Sequence, residues 1–264
     1  ILFNEFLKEW MLGWKEEQQQ QQQQQYHRKQ QHPSQRSKRN ATLPSPSQMA
    51  EKVDRYRSRS LVQPNPTSYN LLLNAMIYDK ADRRKAILLA DDYLKRLWQA
   101  QESTAYEYVD TVSITTIMKG WVDLGQPQTA QEWLDIMMDS GIPPNAVAYS
   151  ILIHGWAKRG DAHAAESILQ KALDYATTTH QNRNDTSQNP LIDRVVFHAV
   201  LDAWAVKASK QTPNNSNPSL RAKALVQKMN DLADEHPKLF GHRLRPNDET
   251  WHKLIAVVAF SSES

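Results

Sequence analysis

The chain has 264 residues, a net charge of +3 from 32 Lys and Arg against 29 Asp and Glu, and no cysteine. That length fits one or two ordinary domains or a single repeat array, and the lack of cysteine excludes disulfides and thiolate metal sites within it. No run of about 18 apolar residues occurs, so no membrane-spanning helix is expected, and the opening ILFNEF, without an initiator Met, reads as the start of a fragment.

The first patterned segment, LFNEFLKEW, sets Phe3 seven residues before Trp10. The spacing returns in SYNLLLNAM (Tyr69, Met76), SITTIMKGW (Ile114, Trp121), AYSILIHGW (Tyr149, Trp156), VFHAVLDAW (Phe197, Trp204) and TWHKLIAVV (Trp251, Val258). Each segment has apolar residues at i, i+3, i+4 and i+7, the stripe of a helix, and its anchors are expected in a core. A small residue precedes the second anchor at Ala75, Gly120, Gly155 and Ala203, which predicts close approach of a neighbouring helix. A short polar residue opens each segment after the first: Asn65, Asp110, Asn145, Asp193 and Asn247. These residue types cap helix N-termini, whatever else they do.

Taken as unit ends, those residues divide the chain into 1–65, 66–110, 111–145, 146–193, 194–247 and a partial 248–264. The uninterrupted unit, 111–145, predicts a first helix to about Leu124, a turn at Gly125-Gln126-Pro127 and a second helix over Gln128–Ser140. Unit 66–110 predicts a longer second helix, Lys85–Glu102. Ala50, Ala130, Ala165 and Ala222 lead into the second helices. Unit 1–65 reads as a partial, degenerate repeat carrying the Gln18–Gln25 tract and the basic stretch HRKQQHPSQRSKRN. Unit 146–193 ends in TTTHQNRNDTSQNP, and 194–247 inserts KASKQTPNNSNPS. These polar tracts cannot bury enough apolar surface to fold and are expected to be disordered. A helical pair cannot hide its stripe alone, so stacked pairs must share a continuous core. The expected fold is all-α, a curved right-handed α-solenoid with first helices on its concave face.

The basicity is local. Residues 26–65 hold nine Lys or Arg against two Asp or Glu, whereas 66–264 hold twenty-one against twenty-three. No HExxH, Walker loop, G-x-S-x-G or H-x-E with paired cysteines is present, and the nine histidines show no ligand spacing. The residues therefore predict no enzyme, cofactor, metal site or small-molecule substrate.

The 35-residue unit TVSITTIMKGWVDLGQPQTAQEWLDIMMDSGIPPN and the following AVAYSILIHGWAKRGDAHAAESIL resemble the pentatricopeptide repeat family, in its plain repeat type. The W-x-x-L-G-x-x-Y pattern of 34-residue tetratricopeptide repeats is absent. The resemblance implies single-stranded RNA as partner, read about one base per repeat by two or three side chains. It pairs the residue just after the first anchor of each unit with the last residue of that unit: Asn4 with Asn65, Asn70 with Asp110, Thr115 with Asn145, Ser150 with Asp193, and His198 with Asn247. His252 begins a sixth pair. The first of each pair is called the reader below. A terminal Asp only accepts hydrogen bonds and suits the ring N–H of U or G, whereas Asn can donate and suits C or A. A small hydroxyl reader leaves room for a purine. The family's code then gives pyrimidine, U, A, G from Asn4 to Asp193, and it assigns no base to the two His readers. Val112, Val147 and Val195, two residues into their units, would sandwich bases; Thr67 and Glu249 depart from that pattern. Lys119, Lys158, Arg159 and Lys207 are candidates for phosphate contact. The resemblance further implies a mitochondrial or plastid role in RNA processing, stability or translation. The competing reading is a protein-interaction scaffold within a ribonucleoprotein, with other ribonucleoprotein components as partners.

Overall fold

A computed structural model describes residues 2–28, 43–59, 61, 63–78, 82–102, 106–182, 192–210 and 217–262. Among these residues there is no strand, and twelve helices follow one another. They are α1 (Leu2–Arg28), α2 (Pro46–Ser58), α3 (Pro66–Tyr78), α4 (Arg83–Glu102), α5 (Thr111–Asp123), α6 (Pro127–Asp139), α7 (Ala146–Arg159), α8 (Ala162–Asn182), α9 (Arg194–Ser209), α10 (Pro218–Glu235), α11 (Gly241–Leu244) and α12 (Asp248–Ser262). None is long and apolar enough to cross a membrane. The chain divides into two compact units, residues 1–120 and 121–264.

In the first unit α3 packs on α1, α2 and α4. Its core takes the predicted stripe of α3, Tyr69, Leu72, Leu73 and Met76, together with Leu7, Trp10 and Trp14 from α1 and Ile87, Tyr93, Leu94 and Leu97 from α4, all buried, while Phe6 of the predicted α1 stripe is 56% exposed. Tyr69 lies against Tyr93 at 6.3 Å between ring centroids and edge-on to Tyr108 at 5.6 Å. Burial pushes the Tyr69 phenol up to about 12. The Tyr93 hydroxyl donates to Asp54 Oδ1 at 3.2 Å, which fixes α2 against α4.

In the second unit α7 packs on α6, α8 and α9, and α9 packs on α8, α10 and α12. Each first helix thus meets its own second helix and the first helix of the next pair, the contact pattern of a repeat stack. Tyr149, Trp156, Phe197 and Trp204 are buried. The buried Trp204 ring finds a partner for its Nε1, which donates to Glu166 Oε2 at 3.2 Å.

Two glycines answer to geometry. Gly160 ends α7 in the left-handed region, at φ 83°, where a side chain would be strained. Gly155 makes room for its neighbours: a Cβ there would lie 2.8 Å from Val122 Cγ2 and 3.2 Å from Pro127 Cβ.

Three expectations are corrected. The Gln18–Gln25 tract, read as disordered, is helical, because α1 runs unbroken through it to Arg28. The polar tail after α8 is likewise helical over residues 177–182, and Lys207–Ser209 still belong to α9. Lys210 and Asn217 cap α9 and α10, Pro218 and Ser219 open α10, and residues 29–40, 183–190 and 211–216 lie outside the described residues. Finally, Trp251 is 47% exposed rather than core. Tyr149, Trp156, Phe197 and Trp204, by contrast, sit on helices that pack on a second helix, α7 on α8 and α9 on α10.

Candidate nucleic-acid interface

All five predicted unit ends stand at the N-terminus of a first helix. Asn65, Asp110, Asn145, Asp193 and Asn247 each accept, through Oδ1, the backbone N–H three residues on, at 2.9–3.2 Å. Capping thus uses one lone pair of each side chain and partners a first-turn N–H that has no acceptor one turn earlier in its helix.

Two of the predicted pairs meet directly in the first unit. Asn4 Nδ2 donates to Asn65 Oδ1 at 3.2 Å. Asn70 Nδ2 donates to both carboxylate oxygens of Asp110, at 3.1 and 3.2 Å. Thr115 is buried, and its hydroxyl donates to the carbonyls of its own helix, Thr111 at 2.9 Å and Val112 at 3.2 Å. Ser150 Oγ is 3.3 Å from His154 Nδ1, with no bond to Asp193 between them.

His198 is held differently. It is 6% exposed, its Nε2 lies 2.8 Å from Thr250 Oγ1, and its Nδ1 faces Glu249 Oε1 at 3.3 Å. A carboxylate can only accept, so Nδ1 carries the proton toward Glu249, and Nε2 shares a hydrogen bond with Thr250 Oγ1, whose hydroxyl also donates to Asn247 Oδ1 at 2.8 Å. Both ring nitrogens are therefore spent inside the chain. Burial holds the imidazole pKa below its usual 6.5, while Glu249 and Asp202 push it up and Lys253 pushes it down. Glu249, out of place for sandwiching a base, is the partner of this ring and also lies 3.8 Å from Lys253. His252 is exposed.

Val112, Val147 and Val195 are 53%, 53% and 57% exposed, each at the second residue of its helix. A lone exposed valine is ordinary; the same register three times is not explained by chance exposure. Lys119 and Lys158 are exposed. Arg159 donates to Gln128 Oε1 at 2.6 Å and its guanidinium lies 5.9 Å from the Trp156 ring, while Lys207 Nζ sits 5.2 Å over Trp204. Among the described residues no group of acidic or His side chains could hold a metal.

The sequence reading passed over the third residue of each first helix. In order these are Ser68, Ser113, Ala148, Val196 and Thr250. The three hydroxyls are at most 1% exposed and touch the readers: Ser68 Oγ lies 2.5 Å from Asn4 Oδ1, Ser113 Oγ lies 2.5 Å from Asn70 Oδ1, and Thr250 reaches His198. The signal was available, since hydroxyls follow Asn or His readers and Ala or Val follow Thr or Ser readers.

Residues 109–158 match the model of the PPR repeat family, and residues 147–174 match that of the PPR repeat. No curated protein matches the chain. Among solved structures, the chain is similar to the crystal structure of the pentatricopeptide repeat protein PPR10 from maize, at 14% identity and a TM-score of 0.52. The likeness covers 82% of this chain and 25% of that one, so the chain spans about a quarter of its length. At that identity the likeness speaks for the fold, an all-α helical solenoid. The matched stretch, residues 109–174, is thus similar to pentatricopeptide repeats, and helix pairs capped in the same way stand on both sides of it.

Proposed function

We propose that this chain binds single-stranded RNA in a base-specific way, about one base per repeat, and acts on transcripts in an organelle without chemistry of its own. The observation that carries the reading is the Asn70–Asp110 contact: two polar side chains, 40 residues apart in sequence, joined at 3.1 and 3.2 Å at the head of a helix. A cap needs only the last residue of a unit. It gives no reason for a second polar group from the first helix of the same repeat to be brought to it. Asn4 with Asn65 repeats the arrangement. The three valines standing free in the adjoining register offer apolar faces for bases.

The proposed readers are Asn4, Asn70, Thr115 and Ser150 with Asn65, Asp110, Asn145 and Asp193. His198 is left out because each ring nitrogen makes one hydrogen bond and both are taken, whereas the Asn4 and Asn70 carbonyls each keep a second lone pair. Exposed Lys119 and Lys158 are the proposed phosphate contacts, with Arg159 and Lys207 joining them on release from their present partners. One feature favours a protein scaffold instead: the body from 66 to 264 is slightly acidic, and phosphate binding draws on positive charge.

The test is binding to short RNAs containing CUAG or UUAG, against a scrambled RNA and the corresponding DNA, at two salt concentrations. Wild type prefers the designed RNA, and Asn145→Asp moves the preference at the third base from A to G. Binding that is weak, salt-sensitive and blind to sequence in both proteins would reject base reading and favour the scaffold.

A further inference from the structure

We infer that the buried hydroxyl at the third residue of a repeat acts with the cap before it to fix which edge the preceding repeat's Asn presents, making Ser113 a specificity-determining positioning residue for Asn70, and Ser68 one for Asn4. This inference rests on the base-reading proposal above.

An Asn side chain is nearly symmetric in shape, yet its two ends are opposite in chemistry: a carbonyl that accepts and an NH2 that donates. A half-turn of the amide therefore leaves the packing intact and inverts what a base edge would meet. The structure removes that freedom in steps. The backbone N–H of Ser113 donates to Asp110 Oδ1 at 2.9 Å and fixes the carboxylate. The carboxylate can only accept, so the Asn70 NH2 must face it, as observed at 3.1 and 3.2 Å. The Asn70 carbonyl then points the other way, 2.5 Å from Ser113 Oγ. Two oxygens that close need a proton between them, and only the hydroxyl has one to give. Ser113 Oγ in turn accepts from the backbone N–H of Asp110 at 3.2 Å.

The first pair repeats these steps with a different cap. Ser68 N–H donates to Asn65 Oδ1 at 3.0 Å, Asn65 Oδ1 accepts from Asn4 Nδ2 at 3.2 Å, and Asn4 Oδ1 receives the Ser68 hydroxyl at 2.5 Å. Here the cap is itself an amide, so the backbone N–H and the hydroxyl together orient both side chains. Readers that need no orienting lack the hydroxyl. Thr115 and Ser150 carry a single rotating O–H, and the following units offer Ala148 and Val196. His198 has two distinct nitrogens and again meets a hydroxyl, Thr250.

The experiment measures affinity of the full chain for four RNAs that differ only at the base assigned to Asn70 and Asp110. Wild type and Ser113→Thr favour U over C. Ser113→Ala lowers the U-to-C ratio about fivefold, the worth of one ordinary hydrogen bond, while affinities averaged over the four bases change less. Helix content is compared by circular dichroism, because Ser113 also supports the cap. A Ser113→Ala protein that loses affinity equally for all bases would overturn the inference and leave Ser113 a structural residue. Asp110→Asn is run alongside and must move preference from U to C; if it does not, base reading at this repeat fails and the inference falls with it. A gain-of-function pair covers the case of a poorly folded Ser113→Ala. Ser150→Asn with Val196→Thr acquires a U preference at the fourth base about fivefold stronger than Ser150→Asn alone. Equal preferences in the single and double variants would also overturn the inference.

Discussion

His198 shows how one side chain can hold a reader's place in the register and be committed elsewhere. Its burial removes water from the ring, so the folded state resists protonation, and the pKa lies below 6.5. The unfolded chain takes up that proton first as pH falls. Stability tied to His198 is therefore complete above about 6.5 and is lost as pH drops through and below that value. Urea unfolding at pH 7.5 and 5.5 should show a larger loss for wild type than for His198→Gln. Equal losses would mean that the ring pays no penalty on protonation, Glu249 having compensated for its burial. The caps Asn65, Asp110, Asn145, Asp193 and Asn247 could be read from residue type and spacing alone, because capping is local chemistry. The burial of His198 could not, since it depends on Glu249 and Thr250, more than fifty residues on. The third-position hydroxyls were missed for a related reason: Ser and Thr are common near helix starts, and nothing local tells a Ser that supports a cap from one that also reaches the helix before it.

Helices were legible wherever the apolar stripe was strong. α5, α6 and α4 begin and end within two residues of the expected positions, inside the ordinary uncertainty of a helix end. The Gln tract misled because composition was weighed against burial alone. Gln is a good helix former, and extending a helix that is already nucleated by Leu7, Trp10 and Trp14 needs no new core. Trp251 misled because a stripe predicts an apolar face and not the helix that will cover it. The small residues before the second anchors were read correctly as contact points, and Gly155 allows a direct check. Alanine would gain about 1 kcal/mol of helix propensity but drive its Cβ to within 2.8 Å of Val122. Overpacking of this kind costs about 1–3 kcal/mol, so Gly155→Ala should lower the unfolding free energy, and Val122→Ala in the same chain should recover part of it. A Gly155→Ala protein as stable as wild type would show that α7 can shift away at no cost.

At the scale of the whole molecule the charge is divided between segments: residues 26–65 are strongly basic and the repeats that follow are not. If base reading belongs to the repeats, the basic stretch adds attraction without preference. Replacing Arg36, Lys38 and Arg39 with Gln, all outside the described residues, should weaken binding to every RNA alike. It should also flatten the dependence of log affinity on log salt by about 2, at ~0.7 per charge on a single strand. A change in base preference in this variant would place reading in that stretch. The bonds from Asn70 to Asp110 and Ser113 carry a consequence of another kind. The bond to Ser113 crosses the junction between one repeat and the next, so the block of chain that is copied in a tandem duplication is not the block that reads a base. A copy of 66–110 set before residue 111 would be followed by Ser113 and keep its meaning. The same copy set before residue 146 would be followed by Ala148, and its Asn would keep the carboxylate of its own repeat but lose the hydroxyl that holds its carbonyl. Repeats of this build behave less like interchangeable beads than like letters whose sound depends on the one that follows, and an ancestral duplication would have preserved its message only beside a compatible neighbour.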